Sequence, residues 1–476
     1  MENDNIEIFN LNTKYFNKDN YSLNSSFYES DAELYTRMLK IFKENEIEIK
    51  KIKDISNNTY VPKRIKTIFT EKDEGVPYLS PKDTFTFPLS AEKFSLNFPE
   101  DCIIEDKQLL ITCSGTTGRS VISNKLFKNF CLSNDMIRLS VNSDYLGYIY
   151  AFINTKMGQS LIKRNEYGST VKHINSDHIE LLEIPLFDEI LEEINDLIIK
   201  AHNIRETSQI EMDSVKKEFY DLIKLPFLSS KDIQTDFNSN FNENNCFVLN
   251  SSNLECRFDG SYHNPVYTSN MKNLIEKSNS NEFYLVNLED LVDIYVPPRT
   301  KRNYVNDEDI SVPFLQGSHI TQIKPQGIQR IYHKTKNIEK FIVNQGMILL
   351  TRSGTIGKLS LVSQYWNNWG ASDHIIRLKI KNQSINPGYL LLFLLSDFGQ
   401  IQFDHLVYGS NVDEIGEAGD LINTIKILIP LNKNLENEIG NKVINAYNNR
   451  DKANLIEDCA INKFEEKINE TYSNLS

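Results

Sequence analysis

No two cysteines in this chain stand as CxxC, and no histidines take the spacing of HExxH or of a zinc finger. The six cysteines (Cys102, Cys113, Cys131, Cys246, Cys256, Cys459) and eight histidines therefore outline neither a disulfide framework nor a metal site. The cysteines read as reduced thiols of a cytoplasmic protein. No apolar run approaches the roughly 18–20 residues that a membrane span needs. The start, MENDNIEIFN, is acidic and lacks the basic-then-apolar layout of a signal peptide. An excess of basic residues is missing too: 52 Lys and Arg face 65 Asp and Glu, a formal net charge of −13. That balance runs against the basic footprint usual for nucleic-acid binding. It is unevenly spread, however. Residues 1–34 hold seven acids and two bases, 186–225 ten and five, and 431–476 eight and six. The two long stretches between them are close to neutral and can carry a local basic face.

What the chain does have is an internal repeat. At 476 residues, with 40% hydrophobic and 11% aromatic content, it suits two or three packed domains. Leu109-Leu110-Ile111-Thr112-Cys113-Ser114-Gly115-Thr116-Thr117-Gly118-Arg119 aligns with Ile348-Leu349-Leu350-Thr351-Arg352-Ser353-Gly354-Thr355-Ile356-Gly357-Lys358 at an offset of 239. Ile137-Arg138-Leu139 meets Ile376-Arg377-Leu378 at the same offset. Gly147-Tyr148, Gly158-Gln159 and Tyr167-Gly168-Ser169 meet Gly388-Tyr389, Gly399-Gln400 and Tyr408-Gly409-Ser410 at 241. Tyr60-Val61-Pro62 matches Tyr295-Val296-Pro297 at 235, and Ile184-Pro185-Leu186 matches Ile429-Pro430-Leu431 at 245. The offset drifts while the order holds, as in a duplicated domain with small loop insertions.

Each copy reads as a helix (around 31–50 and 266–278), then short strands broken by Pro, Gly and Asn, then a buried strand entering a tight Ser-Gly-Thr-x-Gly turn. A further helix and a closing strand at Pro185 or Pro430 complete it. A long segment of helical period follows each proline. Ile194, Ile198, Val215 and Phe219 in the first, and Ile439, Val443, Leu455 and Phe464 in the second, are expected to form a helix–helix seam. The two segments align without a gap, matching Arg205 with Arg450 and Phe219 with Phe464. Some 40 residues at 1.5 Å rise give a rod on the order of 60 Å, and an apolar stripe of that length needs a partner. The expected fold class is α+β: two duplicated α/β domains separated by long antiparallel helices in a pseudo-two-fold arrangement. The boundaries are 1–185, 186–225, 226–430 and 431–476.

Candidate binding residues come from the repeat. Lys63-Arg64 and Arg299, Lys301 and Arg302 occupy equivalent places after Tyr-Val-Pro, and a cationic loop in both copies suits phosphate contact. Arg119, Arg352 and Lys358 flank the Ser-Gly-Thr-x-Gly turns, whose glycines primarily serve a tight connection. Lys172, His173 and Asn411 follow the Tyr-Gly-Ser turns, while Tyr167 and Tyr408 read as core. No catalytic residue emerges. Asn264-Pro265-Val266-Tyr267 is similar to the Asn-Pro-Pro-Tyr loop of amino-methyltransferases but lacks the second proline and an upstream Gly-rich loop. Glu48-x-Lys50 ends a charged helix and has no Pro-Asp partner strand.

The paired turns, the Tyr-Gly-Ser turns followed by Ile-Pro-Leu strands, and the order domain, long helix, domain, long helix resemble the specificity subunit of type I restriction-modification systems. The resemblance covers nearly the whole chain. It implies two target-recognition domains that each read half of a bipartite double-stranded DNA site, with the helices setting the spacing and docking two methyltransferase subunits, and restriction subunits where the system has them. It also implies that the chain holds no cofactor. S-adenosylmethionine, and ATP with magnesium for restriction, would belong to partner subunits. A recognition subunit of another modification-based defence system, or a protein-binding scaffold favoured by the acidic balance, stays open at this point.

Overall fold

The computed structural model describes residues 30–64, 66–70, 74–97, 102–234, 247–249, 254, 257–408, 414–415 and 419–476. These fall into two compact units. One takes the residues up to Thr84, Ala91–His202 and Ile456–Ser476; the other takes Phe85–Ser90 and Asn203–Leu455.

The first unit is built on a four-stranded antiparallel sheet in the order Ser56–Tyr60, Met136–Val141, Leu109–Thr112, Ser120–Ile122. Leu109–Thr112 is buried at every position, which explains a continuous apolar run where a half-exposed strand would alternate. A smaller sheet runs Phe69–Thr70, Lys93–Ser95, Val76–Leu79, Cys131–Leu132, its last pair parallel. Ile49–Lys51 pairs with Glu183–Pro185. The opening helix is Ser30–Glu44, shorter than the sequence suggests, because Glu46 takes φ 64° and turns the chain into that strand. Ser143–Asn154 and Lys156–Arg164 are separate helices. Thr155 breaks them apart: its backbone is extended and its hydroxyl accepts from the Gly158 N–H at 3.0 Å, capping the second helix.

The second unit repeats this plan. Its main sheet runs Val292–Tyr295, Ile375–Ile380, Ile348–Thr351, Leu359–Leu361. A smaller sheet runs Gln329–Tyr332, Ser311–Leu315, Gly370–Ala371. Phe283–Asn287 pairs with Lys426–Pro430, and Ser396 divides helices Pro387–Leu395 and Asp397–Leu406.

The long helices are Asp188–Ile223 and Lys433–Leu475. Within the first unit the start of one runs antiparallel to the end of the other: Lys463 pairs with Glu193, and Lys467 with Glu189 at 3.5 Å. Ile194, Ile198 and Phe464 are buried there. Within the second unit the remaining halves do the same. Lys442 meets Glu218 at 2.7 Å, Ser208 Oγ donates to the Ala446 carbonyl at 2.5 Å, and Val215, Phe219, Ile439 and Val443 are buried.

The seam differs from the sequence expectation in two respects. Phe464 packs against the globular body of its unit, with ring centroids 4.6 Å from Tyr148, 5.8 Å from Phe152 and 6.2 Å from Phe187. Phe219 does the same beside Tyr389 at 5.9 Å and Phe393 at 6.2 Å. Each body is thus completed by the far half of the other copy's helix. Leu455 lies outside the seam altogether and is 56% exposed, whereas its neighbour Asn454 is fully buried. One step along a helix turns the side chain by about 100°, and polar residues hold the buried side: Asn454 accepts from Arg205 at 2.6 Å and donates to the Ile323 carbonyl at 2.8 Å. Buried Arg450 pairs with Asp451 at 2.8 Å and lies over the rings of Trp366, Tyr447 and Phe87 at 4.7, 4.8 and 5.5 Å.

Removing a buried phenylalanine costs about 3–5 kcal/mol, and both tryptophans, Trp366 and Trp369, belong to the second unit. Phe219→Ala should therefore lower the urea midpoint followed by tryptophan fluorescence. Phe464→Ala should lower a transition seen by far-UV circular dichroism and leave the tryptophan signal in place. Equal shifts of both probes by either change would show one cooperative unit instead.

Candidate nucleic-acid interface

The Ser-Gly-Thr-x-Gly turn is assembled by the threonine that ends the buried strand. Thr112 Oγ1 donates to the Thr116 carbonyl at 2.5 Å and accepts from the Arg119 N–H at 3.0 Å. Thr351 does the same with Thr355 at 2.5 Å and Lys358 at 3.0 Å. Gly115, Gly118, Gly354 and Gly357 have φ between 76° and 78°, the left-handed region where a side chain is strained. Gln159 Nε2 donates to the Gly118 carbonyl at 3.0 Å, and Gln400 Nε2 to Gly357 at 3.1 Å, which accounts for the glutamine of the recurring Gly-Gln pair. The amides of Gly118 and Gly115 bond to the carbonyls of Thr112 and Lys172, each at 2.9 Å. These two glycine amides build the turn itself, while Gly115–Thr116 and Gly354–Thr355 form exposed tips.

Other recurring segments converge on that turn. The Cys113 N–H donates to the Asp135 carbonyl and the Ile174 N–H to the Cys113 carbonyl, both at 3.0 Å. In the second unit the Arg352 N–H donates to His374 at 2.9 Å and the Ile415 N–H to Arg352 at 3.0 Å. The cationic loops arrive by ion pairs. Arg64 meets Asp135 at 3.5 Å, with side chains 76% and 37% exposed. Arg302 pairs with buried Asp373, touches Tyr304 Oη at 3.4 Å and lies 5.4 Å over Phe314. Burial opposes both charges of that pair. The hydrogen bonds nevertheless hold the Arg302 guanidinium more firmly protonated and the Asp373 carboxyl below its ordinary range.

The candidates thus separate into two groups. Lys63, Arg64, Arg299 and Lys301 are exposed, so they are placed to reach a polyanion. Arg302 is an anchor for its own loop. Arg119, Arg352 and Lys358 are half-buried, and burial lowers the Arg119 pKa. Lys358 acts against the burial that raises the carboxyl pKa of Asp404. Lys172 is half-buried, and His173 exchanges backbone hydrogen bonds with Tyr167 at 2.8 and 3.0 Å. Tyr167 is no core residue: it is 46% exposed, with its hydroxyl on Asn175 Oδ1 at 2.5 Å, because the Tyr-Gly-Ser turn lies at the surface. Asn411 falls outside the described residues.

Sequence reasoning missed the acids Asp135 and Asp373 and the pair Ser353 Oγ with His374 Nδ1 at 2.7 Å. The signal was present just before each recurring Ile-Arg-Leu strand, displaced by one residue between copies. The arginines of those strands look like phosphate cations but are clamps. Arg138 donates to the carbonyls of Ile103, Leu132 and Cys102 at 3.1–3.4 Å. Arg377 donates to those of Ser372 at 2.8 Å and Phe341 at 3.3 Å, and burial pushes its pKa down to about 10. Among the described residues no group of three or more His, Cys, Asp or Glu is placed to hold a metal ion.

Arg302→Ala would deprive the buried Asp373 carboxylate of its guanidinium partner, so a loss of about 1–3 kcal/mol is expected in the tryptophan-monitored unfolding of the second unit. Asp373→Asn on that background should restore part of it. Arg64→Ala should cost at most about 1 kcal/mol, as its pair is exposed. Equal costs would contradict the division into a buried anchor and an exposed ion pair.

Comparison with curated proteins gives no match. Among solved structures, the chain is similar to the type I restriction-modification S subunit from M. genitalium, with 13% identity, TM-score 0.33 and coverage of 90% of this chain and 96% of that one. It is also similar to the HsdS subunit from Thermoanaerobacter tengcongensis, with 10% identity, TM-score 0.25 and the same coverage. A third similar chain comes from work on complex assembly and conformational transition of the type I R-M system, with 11% identity and TM-score 0.26. No helix among the described residues is long and apolar enough to cross a membrane. A family model for the type I restriction modification DNA specificity domain matches residues 44–197 and 280–434. With the two matches covering more than half of its length, the chain belongs to the type I restriction modification DNA specificity domain family.

Proposed function

We propose that this chain reads a bipartite double-stranded DNA site, one half with each unit, as the recognition subunit of an adenine methyltransferase complex. The observation that carries the reading is the duplicated site: an exposed turn with exposed cations beside it, built twice by the same hydrogen bonds. Cations of this kind position a duplex through its phosphates, while base edges supply specificity. In this reading the long helices set the distance between half-sites and dock two methyltransferase subunits, with restriction subunits joining where the system has them. S-adenosylmethionine, ATP and magnesium would be bound by those partners, and the chemistry would be theirs.

The test is selection of bound duplexes from a randomised pool, using the complex purified through a tag on this chain. A motif of two short halves separated by a fixed gap is expected. Failure to enrich any duplex would favour a protein-binding scaffold. Arg64→Ala and Arg299→Ala should each weaken binding on every sequence alike and flatten the plot of log affinity against log salt by roughly one unit per lost contact. Unchanged affinity and slope would make these residues bystanders. Inserting four residues into both long helices adds about 6 Å of helix, so the gap should lengthen by one or two base pairs at ~3.4 Å each. An active mutant that keeps the original gap would remove the spacing role from the helices.

A further inference from the structure

The framework of the two units is the same, yet a bipartite site with different halves requires different side chains somewhere on it. The register of the smaller sheets shows where. Val76–Leu79 and Ser311–Leu315 are equivalent strands: the Ser133 N–H donates to the Leu79 carbonyl and the Ser372 N–H to the Leu315 carbonyl, both at 2.9 Å. Their antiparallel neighbours pair Tyr78 with Lys93 and Phe314 with Gln329. Lys93 and Gln329 are therefore the same structural position, as are Ser80 and Gln316 directly after the two leucines. All four lie beside the candidate interface, since Ser133 and Ser372 lead into Asp135 and Asp373, which hold Arg64 and Arg302.

The chemistry at this position differs between the units. Gln316 Nε2 donates to Gln329 Oε1 at 3.1 Å in an exposed pair. One amide oxygen and one amide nitrogen of the pair then remain outside that bond, and the same complement remains if both amides are turned over. Adenine offers a matching acceptor and donor, N7 and the N6 amino group, in the major groove. Lys93 carries donors only. It is exposed and sits 5.0 Å over the ring of Phe69, which stands edge-on to Tyr78 at 5.3 Å. Guanine offers two acceptors, O6 and N7, to such a group.

Resting on the DNA-reading function proposed above, we infer that the Gln316–Gln329 amide pair reads an adenine in the half-site of the second unit, and that Lys93 reads a guanine in the half-site of the first. The same duplex selection tests this with the tagged complex. Gln316→Ser with Gln329→Lys gives the second unit the residues of the first. One position of one half-site should change from adenine to guanine, with preferences altered on the order of ten- to a hundredfold, and the other half should stay as it was. Lys93→Gln should act only on the other half, removing its guanine. If the double variant fails to fold, the nearly isosteric Gln329→Glu serves, and loss of the adenine preference with the rest of the motif intact is expected. A wild-type motif that survives every exchange overturns the inference and leaves the DNA-reading function standing. A uniform loss on all sequences, with the melting temperature unmoved, also overturns it by making these residues positioning groups. A wild-type selection without any motif overturns the DNA-reading function itself, and the inference falls with it.

Discussion

A phenylalanine from the far half of a long helix lies beside a buried tyrosine in each unit, Phe464 with Tyr148 and Phe219 with Tyr389. The tyrosine hydroxyl reaches past it to the closing strand, donating to the Pro185 or Leu428 carbonyl at 2.9 Å. Helix, body and closing strand are tied at that point, so the site-bearing sheet rests on a segment distant in sequence. Each body also packs against the near half of the long helix that follows it, closely enough to demand glycine. A Cβ on Gly147 would stand 2.4 Å from the Asn195 carbonyl oxygen, and one on Gly388 would stand 2.0 Å from that of Gly440. The recurring Gly-Tyr pair thus has a steric cause and a hydrogen-bonding one.

On this support the two units spend the same residues on the same tasks. Thr112 and Thr351 fold the turn, Gln159 and Gln400 hold its last carbonyl, and Arg138 and Arg377 bind carbonyls beneath it. Such groups are buried or half-buried, where an unmet donor is costly, and this confines them to one chemistry in both copies. Exposed positions carry no such obligation. Lys93 against Gln329 shows the same scaffold presenting different groups to solvent.

Some of the acids of this acidic chain are held in ion pairs within the fold. Glu193, Glu189 and Glu218 meet lysines along the helices, and Asp135 and Asp373 fasten the cationic loops. A net charge describes long-range attraction, whereas an anion close to an exposed cation responds to the local field, since charges beyond about 10 Å are largely screened at 0.1 M salt.

The duplication, the turns, the paired helices and the absence of a membrane-spanning run were legible in the residues, because repeat spacing and hydrophobic period are properties of the linear chain. Which half of each helix completes which body was not, since Phe219 and Phe464 show the same period whatever ring they pack against. Leu455 misled for a related reason: hydropathy marked it as seam, while the three-dimensional register buried Asn454 and Arg450 and supplied them with partners. The cationic loops were visible as charge, but the division of labour between Arg302 and Arg299 depends on whether an acid 71 residues further on folds beside one of them. Sequence by itself determined the elements and their order, through local periodicity and turn chemistry. Only the tertiary structure decided which charges are anchored and which face solvent, because burial and pairing are set by contacts between residues far apart in the chain.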